Sequence, residues 1–539
     1  MVKLFSVAEM QSLEKEANQG GLVYEMMMEN AGRGIAKEII SAYSHLHNKK
    51  VIALIGSGNN GGDTLISLAY LANDNWETFA YIVRKRPEHD PLIARLKENH
   101  GQVINLDDDN DFLQLTNLID TGSILIDGIL GTGIKLPLNK EISNILSFIN
   151  SKQAVIDKKI HVVAVDCPTG VDCDTGNVAP EIIPAELTIT MAGLKIGLIK
   201  FPAASYVGKI RYVSIGPIEN LQAYTQNNKV ILSGELVKKF LPNRPLDAHK
   251  GTFGTVFIAA GSVNFTGAAL LSGLAAYKIG VGLVTMAVPE PLHVAISGCF
   301  PEATWLLLPH ELGVISAGGA KIIRKNISHA TALLLGPGLG LEDTTKEFIR
   351  GLLTKRINHE MSMGFIHDEK NNNDHVSIKI PMVVDADGLK LIAKIDHWPR
   401  LLPPATVLTP HPGEMAILTG LTIESIQNNR LDIVKEFSEK WGLVVVLKGA
   451  FTVIADPSGQ TAIVPVATPA LAKAGTGDVL AGLIVGLLAQ NGDAYQAACC
   501  GAWIHANAGL LAAKILGNNA SVLASDVLNA IPQVLSDIQ

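Results

Sequence analysis

In KAGTGDVLAG, Lys473 to Gly482, three glycines surround one acid before the chain enters an apolar segment. The pattern reads as an anion-binding turn that opens a helix. Leading backbone N–H groups lack partners there, and glycine lets a phosphate come close. A carboxylate at such a mouth repels phosphate. Asp478 makes chemical sense there as a base that takes the proton of a hydroxyl about to meet that phosphate. Four earlier loops of the same half are expected to converge on this turn. DAHKGTFG (247–254) brings His249 and Lys250 just before a strand, and GPGLG (336–340) offers a backbone-only anion or ribose site around Gly338. TPHPGEMA (409–416) sets His411 beside Glu414, and LKGAFTVI (447–454) leaves Lys448 and Gly449 at a strand end. Each alone is more often a plain loop. Their order, ending in AGTGD, carries the weight.

A second constellation lies in the first half. GSGNNGGDT, Gly56 to Thr64, follows the first strand and opens the next helix. A plain tight turn is one reading; the paired asparagines and the acid add side-chain oxygens that favour an anion or ligand site. IDGILGTGIKLPL (126–138) puts Asp127 at a strand end with Gly131, Thr132 and Gly133 behind it. VDCPTGVDCDTG (165–176) puts Asp166 at another, with Thr169 close by. Asn60, Asp127 and Thr169 would together offer an oxygen-only cage suited to a group-I or group-II cation. Asp166 is then left to bind substrate or move a proton.

The elements that must position these loops are legible as alternating runs. VIALIG (51–56), TFAYIV (78–83), ILID (124–127) and HVVAVD (161–166) read as strands, with DTLISLAYLAN (63–73) as a helix. Continuous apolar strands between helices indicate a parallel sheet covered on both faces, whose ligand sites gather at the carboxyl ends of the strands. The pattern closes near IRYVSIG (210–216), and polar PIENLQAYTQNNKV follows as a candidate linker. The alternation then resumes in GTVFIAAG, GLVTMAV, ALLLGPG and MVVDADG, and DPSG reads as a turn inside 444–464. The polar, asparagine-rich stretch 357–378 carries His359, His367 and His375 and reads as an exposed loop rather than a metal site.

With 539 residues the chain is too long for one ordinary core. A formal charge of −7 argues against a nucleic-acid partner, and no block is basic enough for a membrane surface. Five cysteines without a CxxC pair read as reduced thiols, and MVKLFSVAEMQSLEKEA lacks a signal-peptide core, so a cytoplasmic protein is expected. The apolar run from Ala497 reads as a buried helix, because it carries His505 and Asn507. Methionine-rich LVYEMMMENAG (22–32) suits core packing or an interface helix, and a homo-oligomer is expected.

GNNGGD, DGILGTG and the D-x-P-[ST]-G-V-D pattern together resemble the NAD(P)H-hydrate epimerase family, over about residues 1–218. The resemblance implies that Asn59, Asn60, Gly61, Gly62 and Asp63 bind the hydrated dinucleotide. It implies K+ on Asn60, Asp127 and Thr169. Phosphate falls to Gly131, Thr132, Gly133, Ile134, Lys135, Leu136 and Pro137, and Asp166 contacts substrate. Thr64 departs from the glycine common in that family; a β-branched residue there is expected to reshape the loop exit slightly. GPGLG, TPHPGEM, LKGAFT and KAGTGDVLAG closely resemble ADP/ATP-dependent NAD(P)H-hydrate dehydratase, of the ribokinase-type fold, over about 235–539. That resemblance gives the nucleotide to Lys448, Gly449, Ala450, Phe451, Thr452, Lys473, Ala474, Gly475, Thr476 and Gly477, with Mg2+. The hydrate falls to Gly338, His411, Pro412, Gly413, Glu414, Met415, Ala416 and Asp478. In kinases of this fold the matching acid activates the acceptor hydroxyl while glycine amides cradle the moving phosphoryl.

The expected fold class is therefore α/β in two domains. They are a Rossmann-like three-layer α/β/α domain (1–218) and a ribokinase-like α/β domain (235–539), joined by a linker (219–234). The expected activities are epimerisation of R and S hydrates of NADH and NADPH, and dehydration of the S form with ADP or ATP. A small-alcohol kinase with an N-terminal binding or scaffold domain is the alternative.

Overall fold

Val51 to Ile55 is wholly buried as a strand, as an unbroken aliphatic run must be when helices cover both faces of its sheet. A computed structural model describes residues 2–155, 160–354 and 378–538; of the polar stretch 357–378, residues 357–377 with all three histidines lie outside them. The chain divides into two units, Val2–Lys229 and Val230–Gln539.

The first unit holds β1 (Leu4–Phe5), β2 (Lys50–Ile55), β3 (Glu77–Ile82), β4 (Gln102–Asn105) and β5 (Ile124–Gly128). It continues with β6 (His161–Val165), β7 (Leu187–Met191), β8 (Leu194–Lys195) and β9 (Lys209–Val213). Seven of these form a parallel sheet in the order β4-β3-β2-β5-β6-β7-β9. Helices Tyr24–Tyr43 and Asn59–Asn73 bury Ile35, Ile39, Leu65 and Leu68 on one face. Leu113–Thr121 and Lys140–Gln153 cover the other with Leu115, Leu118, Ile145 and Ile149, which makes three layers. The chain leaves β2 toward β3 and leaves β5 toward β6, on opposite sides. The cleft between β2 and β5 is thus the topological switch point, where open α/β sheets bind ligands. Of the methionine-rich segment, Met27 is buried and Met26 is 52 % exposed. Within 219–234 the chain forms a short helix, Gln222–Thr225, whose leading amides bond the Glu16 carboxylate.

The second unit opens with β10 (Lys229–Ile231), β11 (Thr255–Ala259), β12 (Leu283–Pro289) and β13 (Thr304–Leu308). A small hairpin of β14 (His310–Glu311) and β15 (Val314–Ile315) comes next, then β16 (Ala332–Leu335), β17 (Met382–Val384) and β18 (Thr406–Leu408). The last strands are β19 (Val444–Leu447), β20 (Val453–Ala455) and β21 (Thr461–Ile463). The sheet runs β10-β21-β20-β19-β18-β17-β16-β11-β12-β13. It is parallel from β13 to β19 and turns antiparallel at β20 and β21, across the DPSG turn. Its switch point lies between β11 and β16. Helix Thr476–Asn491 packs closely on helix Thr266–Lys278 because its contact face is small: a Cβ on Gly482 would lie 2.2 Å from the Ser272 carbonyl oxygen. Helix Ala494–Leu516 is long and apolar enough to cross a membrane, yet it buries Ala498, Cys499, Cys500 and Ile504 inside this unit's core.

Candidate functional site

The first site assembles at the β2/β5 switch point. The helix after β2 begins at Asn59, four residues earlier than the sequence pattern suggests, so Asn59–Asp63 forms its first turn. Gly61 is required there, because a Cβ would sit 2.1 Å from the Gly56 carbonyl oxygen. Half-buried Arg86 holds the preceding loop by donating to the carbonyls of Gly56 (2.8 Å) and Gly58 (3.3 Å), while Asp90 pairs with its Nε. The first amides of the helix have no intrahelical partners, and such a helix start favours anions.

Asn60, Asp127 and Thr169 do come together from three strand ends. Asp127 Oδ2 accepts the Thr169 amide and Oδ1 the Thr169 hydroxyl, both at 2.6 Å. The Leu130 amide donates to Thr169 Oγ1 (3.1 Å), and Asn60 Nδ2 donates to the Leu130 carbonyl (3.1 Å). Asn60 Oδ1 is buried and has no hydrogen-bond partner among the described residues. Burial pushes the Asp127 carboxyl above its ordinary range, against the pull of the Thr169 donors. Gly131 faces Asn60, while Gly133, Lys135 and Pro137 run along the exposed side of their loop.

Asp166 sits at φ 67, a left-handed conformation that an aspartate tolerates better than most residues. Its carboxylate pairs with Lys195, a lysine only 2 % exposed that also donates to Thr190 Oγ1 (3.0 Å) and the Met191 carbonyl (2.9 Å). Two more acids face this pair. Burial, then Asp166 and Glu14, push the Asp63 carboxyl well above its usual range; burial also raises Glu14, against Lys195. Lys195 and Glu14 escape the sequence reading. The available signal was a lone lysine inside the apolar run MAGLKIGLI; for Glu14 there was none.

Thr64 does not reshape the loop exit. It lies inside the helix rather than at positive φ, donates to the Asn60 carbonyl (2.7 Å), and occupies space left by Gly128, where a Cβ would be 2.2 Å from its Oγ1.

The second site lies at the carboxyl ends of β16 to β19. Gly475, at φ 88, caps helix Thr476–Asn491, which places Asp478 in the first turn beside the amides of Thr476 and Gly477. Asp385, at the end of β17, is buried and accepts Thr409 Oγ1 and Lys448 Nζ, each at 2.7 Å. Lys448 also lies 3.6 Å from Glu414. Burial pulls the Lys448 pKa down, but Asp385 and Glu414 carry it above the ordinary lysine value. Burial first, then Asp385 and Asp387, push the Asp478 carboxyl up to about 7, with Lys448 opposing. Asp385 and Asp387 belong to MVVDADG, which the sequence reading treats only as strand punctuation.

The neighbouring loops are locked by close approach. Gly338, at φ 62, could not carry a Cβ, which would meet Phe265 Cβ at 2.7 Å; the Gly261 amide donates to the Pro337 carbonyl (2.7 Å) across the switch point. Helix Pro412–Thr419 starts with a capping box in which the His411 amide donates to Glu414 Oε2 (2.9 Å) and His411 Nδ1 accepts the Gly413 amide (3.0 Å). Ala416 is half-buried, and the Met415 side chain is turned into an apolar cluster with Ile426 and Phe437. Gly449 (φ 138) and Phe451 (φ 52) bend the strand-end turn, and Thr452 Oγ1 donates to the Gly449 carbonyl (2.9 Å).

A cavity of about 500 Å³ adjoins this turn, lined by Lys448, Gly449, Ala450, Lys473, Thr476 and Gly477 among others. Asp478 is not one of its walls, but Lys448, which is, lies close enough to lower the Asp478 pKa. His249 and Lys250 do not converge here. They precede β11, and Gly254 behind them packs on the Ala489 carbonyl, about 20 Å of helix from Thr476. A larger groove, about 840 Å³, runs beside β9 in the first unit, lined by Arg33, Lys37 and Tyr212, and contains none of the site residues.

Two family models match the chain. One, described as NAD(P)H-hydrate dehydratase, covers residues 256–533; the other, the YjeF-related protein N-terminus, covers 24–197. Among curated relatives, a bifunctional NAD(P)H-hydrate repair enzyme Nnr of Moorella thermoacetica is 32% identical over 99% of this chain and 97% of its own length. The Nnr enzyme of Coxiella burnetii is 30% identical over 98% of both chains. Among solved structures, an ADP/ATP-dependent NAD(P)H-hydrate dehydratase of Bacillus subtilis, co-crystallised with ATP and Mg2+, is 29% identical over 57% of this chain and 99% of its own, with a TM-score of 0.48. With the dehydratase model over more than half of its length and full-length relatives on either side of that span, the chain belongs to the bifunctional NAD(P)H-hydrate repair enzyme family.

Proposed function

We propose that this chain restores hydrated NADH and NADPH, with Asp478 taking the proton of the ring hydroxyl as a nucleotide's terminal phosphoryl lands on that oxygen. The observation that carries this reading is the half-buried Asp478 carboxyl, titrating near 7, in the first turn of a helix whose leading amides line the adjoining cavity. The hydroxyl oxygen bonds to phosphorus and the bond to the leaving nucleotide breaks. Hydroxide, a poor leaving group, has then become phosphate, a good one. The ring nitrogen's lone pair expels it, and loss of a proton from the neighbouring carbon restores the double bond. Lys448, clamped by Asp385 and Glu414, supplies positive charge beside the amides of Thr476 and Gly477, where negative charge grows during transfer. Our reading favours ADP, with ATP as the other donor. Mg2+ would be carried largely by the nucleotide's phosphates; among the described residues no group of three acids, histidines or cysteines is arranged to hold an ion.

The first unit would interconvert the R and S hydrates. Asp166, paired with Lys195, is placed to exchange a proton with the hydrate, and the helix turn Asn59–Asp63 to hold the dinucleotide. A K+ ion fits the buried, unpartnered Asn60 Oδ1 together with Asp127 and Thr169, and would supply charge next to the Gly131–Pro137 phosphate loop. Both reactions use small molecules, and the reading sets them in the cytoplasm. A small-alcohol kinase would use Asp478 equally well but leaves the first site without a purpose.

The test is direct. Chemically prepared R and S hydrates are mixed with the full chain, ADP and Mg2+, and nicotinamide absorbance is followed. Return of the whole signal supports both activities. Consumption of the S form alone removes the epimerase, and a stable phosphorylated product removes the dehydratase.

A further inference from the structure

The cavity beside the amide turn is split in character. Lys448, Lys473 and Gly477 line one part, where phosphate groups belong. Val464, Val466, Leu471, Leu480, Ala502 and Ala506 supply apolar walls for the rest. Of the two imidazoles that line the cavity, His411 is engaged in the capping box of helix Pro412–Thr419, and His505 interrupts the apolar walls. His505 lies between Ala502 and Ala506 on helix Ala494–Leu516, is 7 % exposed, and its Nε2 meets no hydrogen-bond partner among the described residues. A buried nitrogen left unpaired costs stability, so its place in a cavity wall points to a ligand atom. A hydrogen bond with the Thr476 backbone raises the ring's pKa, so the imidazole is the donor in it; with Nε2 unpartnered, the hydrogen is assigned to the other nitrogen. Burial lowers the ring's pKa to about 4, so at neutral pH the imidazole is uncharged and Nε2 presents a lone pair. It requires a donor carried by a flat, largely apolar group attached to phosphates.

We propose that His505 reads the base of the nucleotide, its Nε2 accepting a hydrogen bond from the exocyclic amino group of adenine. This rests on the reading of the cavity as the nucleotide site. A 6-oxo purine would set its carbonyl oxygen against the lone pair, two acceptors facing each other in a pocket with little water. His505 touches the base and not the transferring phosphoryl, so it is a recognition residue.

The full-length protein is titrated with ATP, ITP and 2′-deoxy-ATP in the presence of Mg2+ and without hydrate. Binding is read by calorimetry and by the rise in melting temperature. The wild type is expected to bind ATP at least about tenfold more tightly than ITP, with 2′-deoxy-ATP close to ATP. His505→Ala should bind ATP and ITP within about twofold of one another. His505→Gln, whose amide oxygen can accept the same hydrogen bond, should keep part of the preference. If the alanine variant fails to fold, the wild-type ratio and the glutamine variant decide the matter. Equal affinity of the wild type for ATP and ITP overturns the inference. A loss confined to 2′-deoxy-ATP also overturns it, since the lone pair would then meet the ribose. Because binding is measured without hydrate, failure to dehydrate counts against the proposed function and leaves this result standing.

Discussion

In the proposed dehydratase chemistry, Asp478 is the residue on which turnover depends. Replacing it with asparagine keeps shape and removes the base, so turnover of the S hydrate should fall by about 10²- to 10⁴-fold. Nucleotide binding should survive, because the cavity walls omit this side chain. Steady-state rates beside nucleotide-induced thermal shifts would separate the two effects. The pH dependence has a definite sign. Burial and two acids raise this carboxyl from 3.8 to about 7, so the folded protein holds a proton that the unfolded chain releases across that window. Stability from this group is therefore greatest at low pH and declines as pH rises toward 7. The base form accumulates above 7, so kcat/KM for dehydration should rise with pH and level off beyond that value. Asp385→Asn removes a neighbouring charge and should move the limb toward acid; a limb that stays put would remove Asp385 as a cause.

Elements decide how such side chains meet. Lys195 reaches Asp166 because β8 pairs in parallel with β1, Leu4 beside Leu194 and Phe5 beside Lys195, which turns an otherwise isolated strand into a fixed support. Lys195→Met would leave Asp166 buried without its cation. Breaking a buried pair costs about 3–5 kcal/mol, so the first unit should melt earlier. Clearance of the R hydrate should be lost while dehydration of the S hydrate persists. Urea unfolding together with separate R and S assays checks both parts; intact epimerisation would show that Lys195 is structural. The strands and the glycine turns that carry the sites were legible in advance, since aliphatic runs and glycine spacing are local signals. Helix starts were less so. The turn Asn59–Asp63 looks like a loop by composition, yet it is the first turn of the helix, with Arg86 bonded to the loop before it and Gly61 passing close to Gly56.

At the scale of the molecule, each unit has its own sheet and its own apolar clusters on both faces. Residues 2–229 and 230–539, expressed separately, should each unfold cooperatively and keep one activity. The second fragment alone should stall on the R hydrate until the first is added. Calorimetry of each fragment and the mixed assay would check this; fragments that do not fold would show that the units depend on each other.

Order along the chain was enough to identify the family and to single out two clusters of glycine-rich loops, with the carboxylate on which the proposed chemistry rests. Motifs of glycine, asparagine and acid are contiguous, and contiguity survives in sequence. The partners of those motifs come from afar: Lys195 and Glu14 beside Asp166, Asp385 and Asp387 beside Asp478, His505 in the cavity wall. Burial and the closeness of other charges set how these groups titrate, and both arise only when separate strands and helices pack. The same folding carried His249 and Lys250 to the far end of helix Thr476–Asn491, because the direction of β11 outweighs nearness in the chain.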